Sequence, residues 1–208
     1  MRNALLRLCL VTAVAMLAFA PRVSADTTAT VYFDGSYLFA NNGFGIPPYG
    51  GTLNGVSTHF DCVDFSHDIS AGMSWTAFVT PLTTTADYSN TYLKSESKYM
   101  EMAWLITQMN GTKDDTTKAE DQWAIWTFTG ATDPYGLLGP GGATTLIGEA
   151  ITAIGSGWVA QDMEILTPTP NSYGQEFVAP TPEPASLFLL GTGFVGFLVK
   201  RRKQSAAA

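Results

Sequence analysis

The chain has 208 residues, 46% of them hydrophobic, and 11 Lys and Arg against 18 Asp and Glu give a formal net charge of −7. A surface this acidic repels nucleic acid and anionic lipid. Its 2 cysteines, Cys9 and Cys62, exclude a disulfide-stapled scaffold, and the length suits one domain of ordinary size once targeting segments are set aside.

The first 25 residues read as a secretory signal peptide. Arg2 and Arg7 supply a positive start, residues 8–20 ("LCLVTAVAMLAFA") an apolar run, and "VSA" a small-residue cleavage site between Ala25 and Asp26. Such a run makes about 20 Å of helix, against ~30 Å of hydrocarbon for a full span. Cleavage is therefore expected. Cys9 leaves with the signal, so Cys62 becomes the sole cysteine of the exported part.

Residues 26–178 predict a single α+β domain. "TATVYF" (28–33), "THFDCVDF" (58–65) and "WTAFVTPL" (75–82) are β-branched and aromatic, and "NNGFGIPPYGG" (41–51) is turn punctuation between them. From 95 to 109 the period changes: Tyr99, Met102, Ala103, Ile106 and Met109 mark an amphipathic helix, stopped by Asn110-Gly111. A second helix is expected from a capping box at Thr117 and Glu120, running to about Phe128 with Gly130 as its stop. Leu146, Ile147, Ala150, Ile151 and Ile154 form a third helical stripe ending at Gly155, and "WVAQDMEILTP" and "GQEFVAP" read as closing strands.

The C-terminus is a second targeting device. Residues 179–184 form a Pro-rich linker ending in Pro182-Glu183-Pro184, followed by an apolar run over 185–199 and the basic stop Lys200-Arg201-Arg202-Lys203. The run makes about 22 Å of helix, a marginal span that snorkelling flanks can support, and the basic cluster stays cytoplasmic under the positive-inside rule. The ordered set of motif, span over 185–203 and basic stop resembles the PEP-CTERM sorting signal. That resemblance implies export across the inner membrane, transient anchoring through the C-terminal helix, and processing near the Pro-Glu-Pro by exosortase, a membrane-embedded cysteine protease-transpeptidase of Gram-negative bacteria that make exopolysaccharide. With both ends set aside, only Lys94, Lys98, Lys113 and Lys118 face the eighteen acids, about −14 for the exported part. The acids are scattered, which suits solubility.

Within the domain, Gln122 is the misplaced polar residue. It shares an apolar helical stripe with Ala119, Ile125 and Trp126. Burying an amide without partners costs on the order of 1–3 kcal/mol, so something should satisfy it. One reading is a core Gln bonded to a strand backbone. A sharper one uses Cys62: a thiol held against the Gln side-chain carbonyl can displace ammonia to leave an internal thioester, which Trp123 and Trp126 would keep dry. "DCVD" (61–64), the intervening helix "YMEMAWLITQMNG" and "DQWAIW" (121–126) together resemble the thioester domains of bacterial surface adhesins. That resemblance implies Cys62 and Gln122 as the bonded pair, with Asp64, Ala124, Ile125 and Trp126 in support. Asp121 stands where that signature has Thr and Asp61 where it has an aromatic, and two carboxylates beside the thiol oppose its ionisation.

Other constellations are weaker. His59, Asp61 and His67 could share a strand face, but Cys62 and Asp64 point to the other, and no second Cys/His pair has zinc spacing. A Cys62–His dyad would need a base supplied by the fold. Loop tyrosines in "GIPPYGG" and "DPYG" could stack on sugars. The expected protein is non-enzymatic, without metal or cofactor, and serves adhesion or matrix association. Its expected partners are exosortase, the export machinery, transiently the inner membrane, and an extracellular polysaccharide or a surface amine or hydroxyl. A non-covalent structural or carbohydrate-binding matrix component and a Cys-dependent hydrolase are the alternatives.

Overall fold

The computed structural model describes residues 28–132, 142–170 and 172–181. The alternation in "TATVYF" sets the first strand, β1 (Thr28–Phe33), with Ala29, Val31 and Phe33 inward and their neighbours exposed. There follow β2 (Phe39–Asn41), β3 (Phe44–Ile46), β4 (Tyr49–Leu53), β5 (Val56–Cys62) and β6 (Ser74–Pro81). Three helices come next, α1 (Glu96–Gly111), α2 (Asp115–Thr127) and α3 (Gly142–Gly155), then β7 (Met163–Pro168) and β8 (Phe177–Pro180). The class is the expected α+β. Six strands close a barrel in the order β1-β4-β5-β8-β7-β6, all pairings antiparallel, while β2 and β3 form a separate hairpin.

Aromatic rings fill the barrel around Phe177. Phe60 stacks on it with centroids 5.3 Å apart, Trp75 and Tyr49 lie 5.7 and 5.8 Å away, and Phe33 meets Tyr49 edge-on at 5.6 Å. Such pairs add to the burial of large apolar surfaces. Gly51 is required by this packing: a Cβ there would lie 2.0 Å from the Tyr32 carbonyl oxygen.

The helices cover one side of the barrel. Burial is continuous rather than alternating at Phe60–Asp64, in β7 after Met163, and from Glu176 through β8 to Ala179, so both faces of the chain are covered there. Ties from helix to sheet agree: Tyr99 of α1 donates to Glu176 at 2.6 Å, Asn110 to Asp61 at 3.2 Å, and Gln122 of α2 to the Cys62 carbonyl at 2.8 Å. The expected stripe of α1 is buried throughout, joined by Met100 and Leu105.

Three sequence expectations are corrected. The capping box does not form: Asp114 is the N-cap of α2, its carboxylate accepting from the Thr117 N–H at 2.8 Å and the Thr117 hydroxyl at 2.7 Å. The helix thus starts earlier, and Gln122 sits two turns inside it. Asn110 and Gly111 belong to α1, which stops at Thr112. The turn-rich stretch from 41 holds β3 and most of β4, because Asn42-Gly43 and Asn54-Gly55, all four at positive φ, close two tight hairpins. The third helix ends at Gly155 as expected; along its stripe Ala150 is buried and Ile151 is 54% exposed.

Candidate functional site

Cys62 ends β5, paired with Phe177 of β8. Two residues from Phe60, it faces the barrel side with that ring. Gln122 reaches it from α2, its Nε2 donating to the Cys62 carbonyl oxygen at 2.8 Å, and both residues are essentially sealed from solvent. The fold thus brings these two residues together from either side of α1. Gln122 Oε1 is buried without a hydrogen-bond partner, as is the indole nitrogen of Trp126. Ala124, Ile125 and Trp126 are buried on the same helix.

An aromatic cluster adjoins the site through Trp126. Phe44 of β3, Phe65 after β5, and Trp123 and Trp126 of α2 form a mutually packed cluster, with centroid distances between 5.2 and 5.9 Å. Trp123 and Trp126 are buried; Phe44 and Phe65 escape sequence reasoning because they come from a turn-like stretch and a strand end.

Burial pushes the Cys62 thiol up to about 12. Smaller influences from the Trp126 indole N–H and the Asp64 backbone pull it down, while the Asp64 and Asp61 charges push it further up. The Trp126 contact falls outside ordinary hydrogen-bond geometry and acts as a weak dipolar influence. The thiol itself donates to the Asp64 carbonyl at 3.2 Å. Asp121, in contrast, is turned toward α3: burial and the charges of Glu120 and Glu149 raise it to about 7. Its position one residue before Gln122 puts it about 100° round the helix from the site.

Asp61 is buried opposite Cys62. Loss of hydration raises its carboxyl to about 7, against the smaller lowering influence of Asn110 and Lys118, and Oδ1 has no partner. Asp64, also buried, accepts from Ser66 N–H at 2.7 Å and holds His67 Nδ1 at 2.6 Å. His59 is exposed on β5, away from that pair. Among the described residues no group of three His, Cys, Asp or Glu could hold a metal ion, and no hydrogen bond joins Cys62 to a histidine. Glu176 escapes sequence reasoning too. It is buried in the closing segment, accepting from Tyr99 Oη at 2.6 Å, Thr167 Oγ1 at 2.5 Å and Tyr92 N–H at 3.1 Å.

The signal cleavage pair Ala25 and Asp26, and the sorting residues Pro182, Glu183, Pro184, Lys200, Arg201, Arg202 and Lys203, lie outside the described residues. Among the described residues no helix is long and apolar enough to cross a membrane. Residues 180–203 match the PEP-CTERM protein-sorting motif. Proteins with this motif are exported, anchored in the membrane as precursors and then processed by exosortase for the cell surface, and this chain takes that route. Neither a curated protein nor a solved structure matches the chain.

Proposed function

We propose that this chain is a non-enzymatic surface protein for adhesion or matrix association, in which Cys62 and Gln122 are joined as an internal thioester. The observation that carries this reading is the approach of the Gln122 side chain to Cys62 in a fully buried site, with Gln122 Oε1 left unpartnered. A buried amide oxygen without a donor costs about 1–3 kcal/mol. A thioester carbonyl is a weaker acceptor and suffers less from that isolation.

In the bond-forming step the Cys62 sulfur attacks Gln122 Cδ, an S–C bond forms and the C–Nε2 bond breaks. The thiol proton leaves on nitrogen, so ammonia departs. Reactants and products are neutral, and a low-dielectric site that suppresses the thiolate does not oppose the overall exchange. The Phe44, Phe65, Trp123 and Trp126 wall would keep water from hydrolysing the product. An amine or hydroxyl on a target surface would open the bond once, leaving the protein covalently attached. A thiol raised to about 12 is, by the same reasoning, poorly suited to turnover as a hydrolase.

Intact mass of the processed protein tests this. The expected value is lower than the sequence mass by one ammonia, restored by Cys62→Ala, with one methylamine taken up on treatment. The full sequence mass, with Cys62 alkylated as soon as the protein is unfolded, would sink the covalent reading. The hydrogen bond from Gln122 to the Cys62 carbonyl would then be the whole role of that side chain, in a non-covalent matrix component.

A further inference from the structure

Three rings from segments distant in sequence meet at the surface beside the turn at Asp64. His67 lies 5.3 Å from Tyr92, centroid to centroid, with the rings 35° from parallel, and 6.5 Å from Tyr173 in an edge contact. Tyr92 is 38% exposed, Tyr173 62% and the His67 side chain 40%, and none of them joins the hydrophobic core.

Their carriers are nevertheless tied to buried polar groups. Asp64 holds His67 Nδ1, while Glu176 Oε1 accepts from the Tyr92 backbone N–H at 3.1 Å. The two acids are joined in turn, the Glu176 N–H donating to Asp64 Oδ2 at 3.4 Å. Beside Tyr173, the Gln175 amide donates to the carbonyls of Asp64, at 3.2 Å, and His67. Asp64 is 1% exposed and Glu176 not at all. Exposed rings gain little from such anchoring in the fold's own stability, but a binding surface gains by having its rings fixed beforehand.

We infer that His67, Tyr92 and Tyr173 form a preorganised platform that binds neutral carbohydrate. Each ring pairs an apolar face with a polar tip, which matches the C–H faces and hydroxyl rims of a pyranose. Asp64 holds His67 Nδ1, which leaves the other ring nitrogen, Nε2, to meet a sugar hydroxyl. Burial, and then the Asp64 and Glu176 charges, push the Tyr92 phenol up to about 12, so it remains a donor. The acidic exported chain disfavours anionic polymers. A cage for a quaternary ammonium would need rings facing one another across a gap, whereas His67 and Tyr92, tilted by 35°, already contact each other with centroids 5.3 Å apart.

Affinity electrophoresis of the full-length protein in detergent, through gels containing dextran, galactomannan or xyloglucan, tests the platform. At least one neutral polymer should retard the protein. Tyr92→Ala, Tyr173→Ala and His67→Ala should each weaken retardation, on the order of tenfold in Kd for a lost stacking ring. Tyr32→Ala, an exposed tyrosine of β1, should bind as the wild type does. Retardation is read separately from the mass measurement, because it reports on the three rings and not on a bond between Cys62 and Gln122. Thermal midpoints close to wild type confirm that the ring variants are folded. The platform is overturned if none of the three polymers retards the protein, if a parallel gel containing the anionic polymer hyaluronate is the only one that does, if added phosphocholine abolishes the retardation, or if folded Tyr173→Ala and Tyr92→Ala bind normally.

Discussion

Gly51 illustrates how far single positions constrain the barrel. Its Cα faces the Tyr32 carbonyl of the neighbouring strand so closely that any Cβ must displace backbone, and the Phe60 ring sits 2.8 Å from the same point. Gly51→Ala should cost about 1–3 kcal/mol, the usual penalty for overpacking, read from the urea unfolding free energy. Gly148 in α3 provides the contrast, since a Cβ there meets nothing within 4 Å. Gly148→Ala should stabilise by roughly 0.5–1 kcal/mol through helix propensity. If Gly51→Ala proved as benign as Gly148→Ala, the close strand approach would be wrong.

At the scale of elements, the start of α2 decides how Gln122 is aimed. Asp114 accepts from both the N–H and the hydroxyl of Thr117, so Asp114→Ala removes the cap, whereas Thr117→Val leaves the N–H bond in place. The urea midpoint should fall further for Asp114→Ala; the reverse order would restore Thr117 as the cap. The helix was legible from its period, and so was its stop, with Gly130 at a φ of 101. Its start was not, because Asp114, Thr117 and Glu120 offer two overlapping capping patterns and only three-dimensional context chooses between them. The strands of the barrel were legible where β-branched residues alternate, as in β1. They were hidden in β4, whose "YGGTL" carries two glycines that read as a turn yet serve close packing. Cys62 and Gln122 could be singled out by chemistry alone. Glu176 could not, since no local pattern marks the helix tyrosine and strand threonine that satisfy it.

At the scale of the whole molecule, buried acids of the described residues, Asp61, Asp121 and Glu164 among them, shape the response to pH. Burial raises Asp61, Asp121 and Glu164 to about 7. In the unfolded chain these groups ionise near their ordinary values of about 4, so between about pH 4 and 7 the folded state binds more protons. Stability should therefore be greatest in mild acid, decline as pH rises through about 7, and level off above it. Urea unfolding at pH 5 and pH 8 measures the difference, and Asp61→Asn should flatten its share of the slope. A domain more stable at pH 8 than at pH 5 would contradict the burial of these carboxyls.

The junction between barrel and tail has a mechanical consequence. The motif match begins at Pro180, the last residue of β8, and β8 is flanked by β5 on one side and β7 on the other. Tension on a membrane-held precursor enters the domain at that strand. Phe177 lies opposite Cys62, so the load passes through a few backbone hydrogen bonds into the strand that ends at the cysteine. A catch made at Gln122 would close that force path across two adjoining strands and one helix, and most of the barrel would bear no strain.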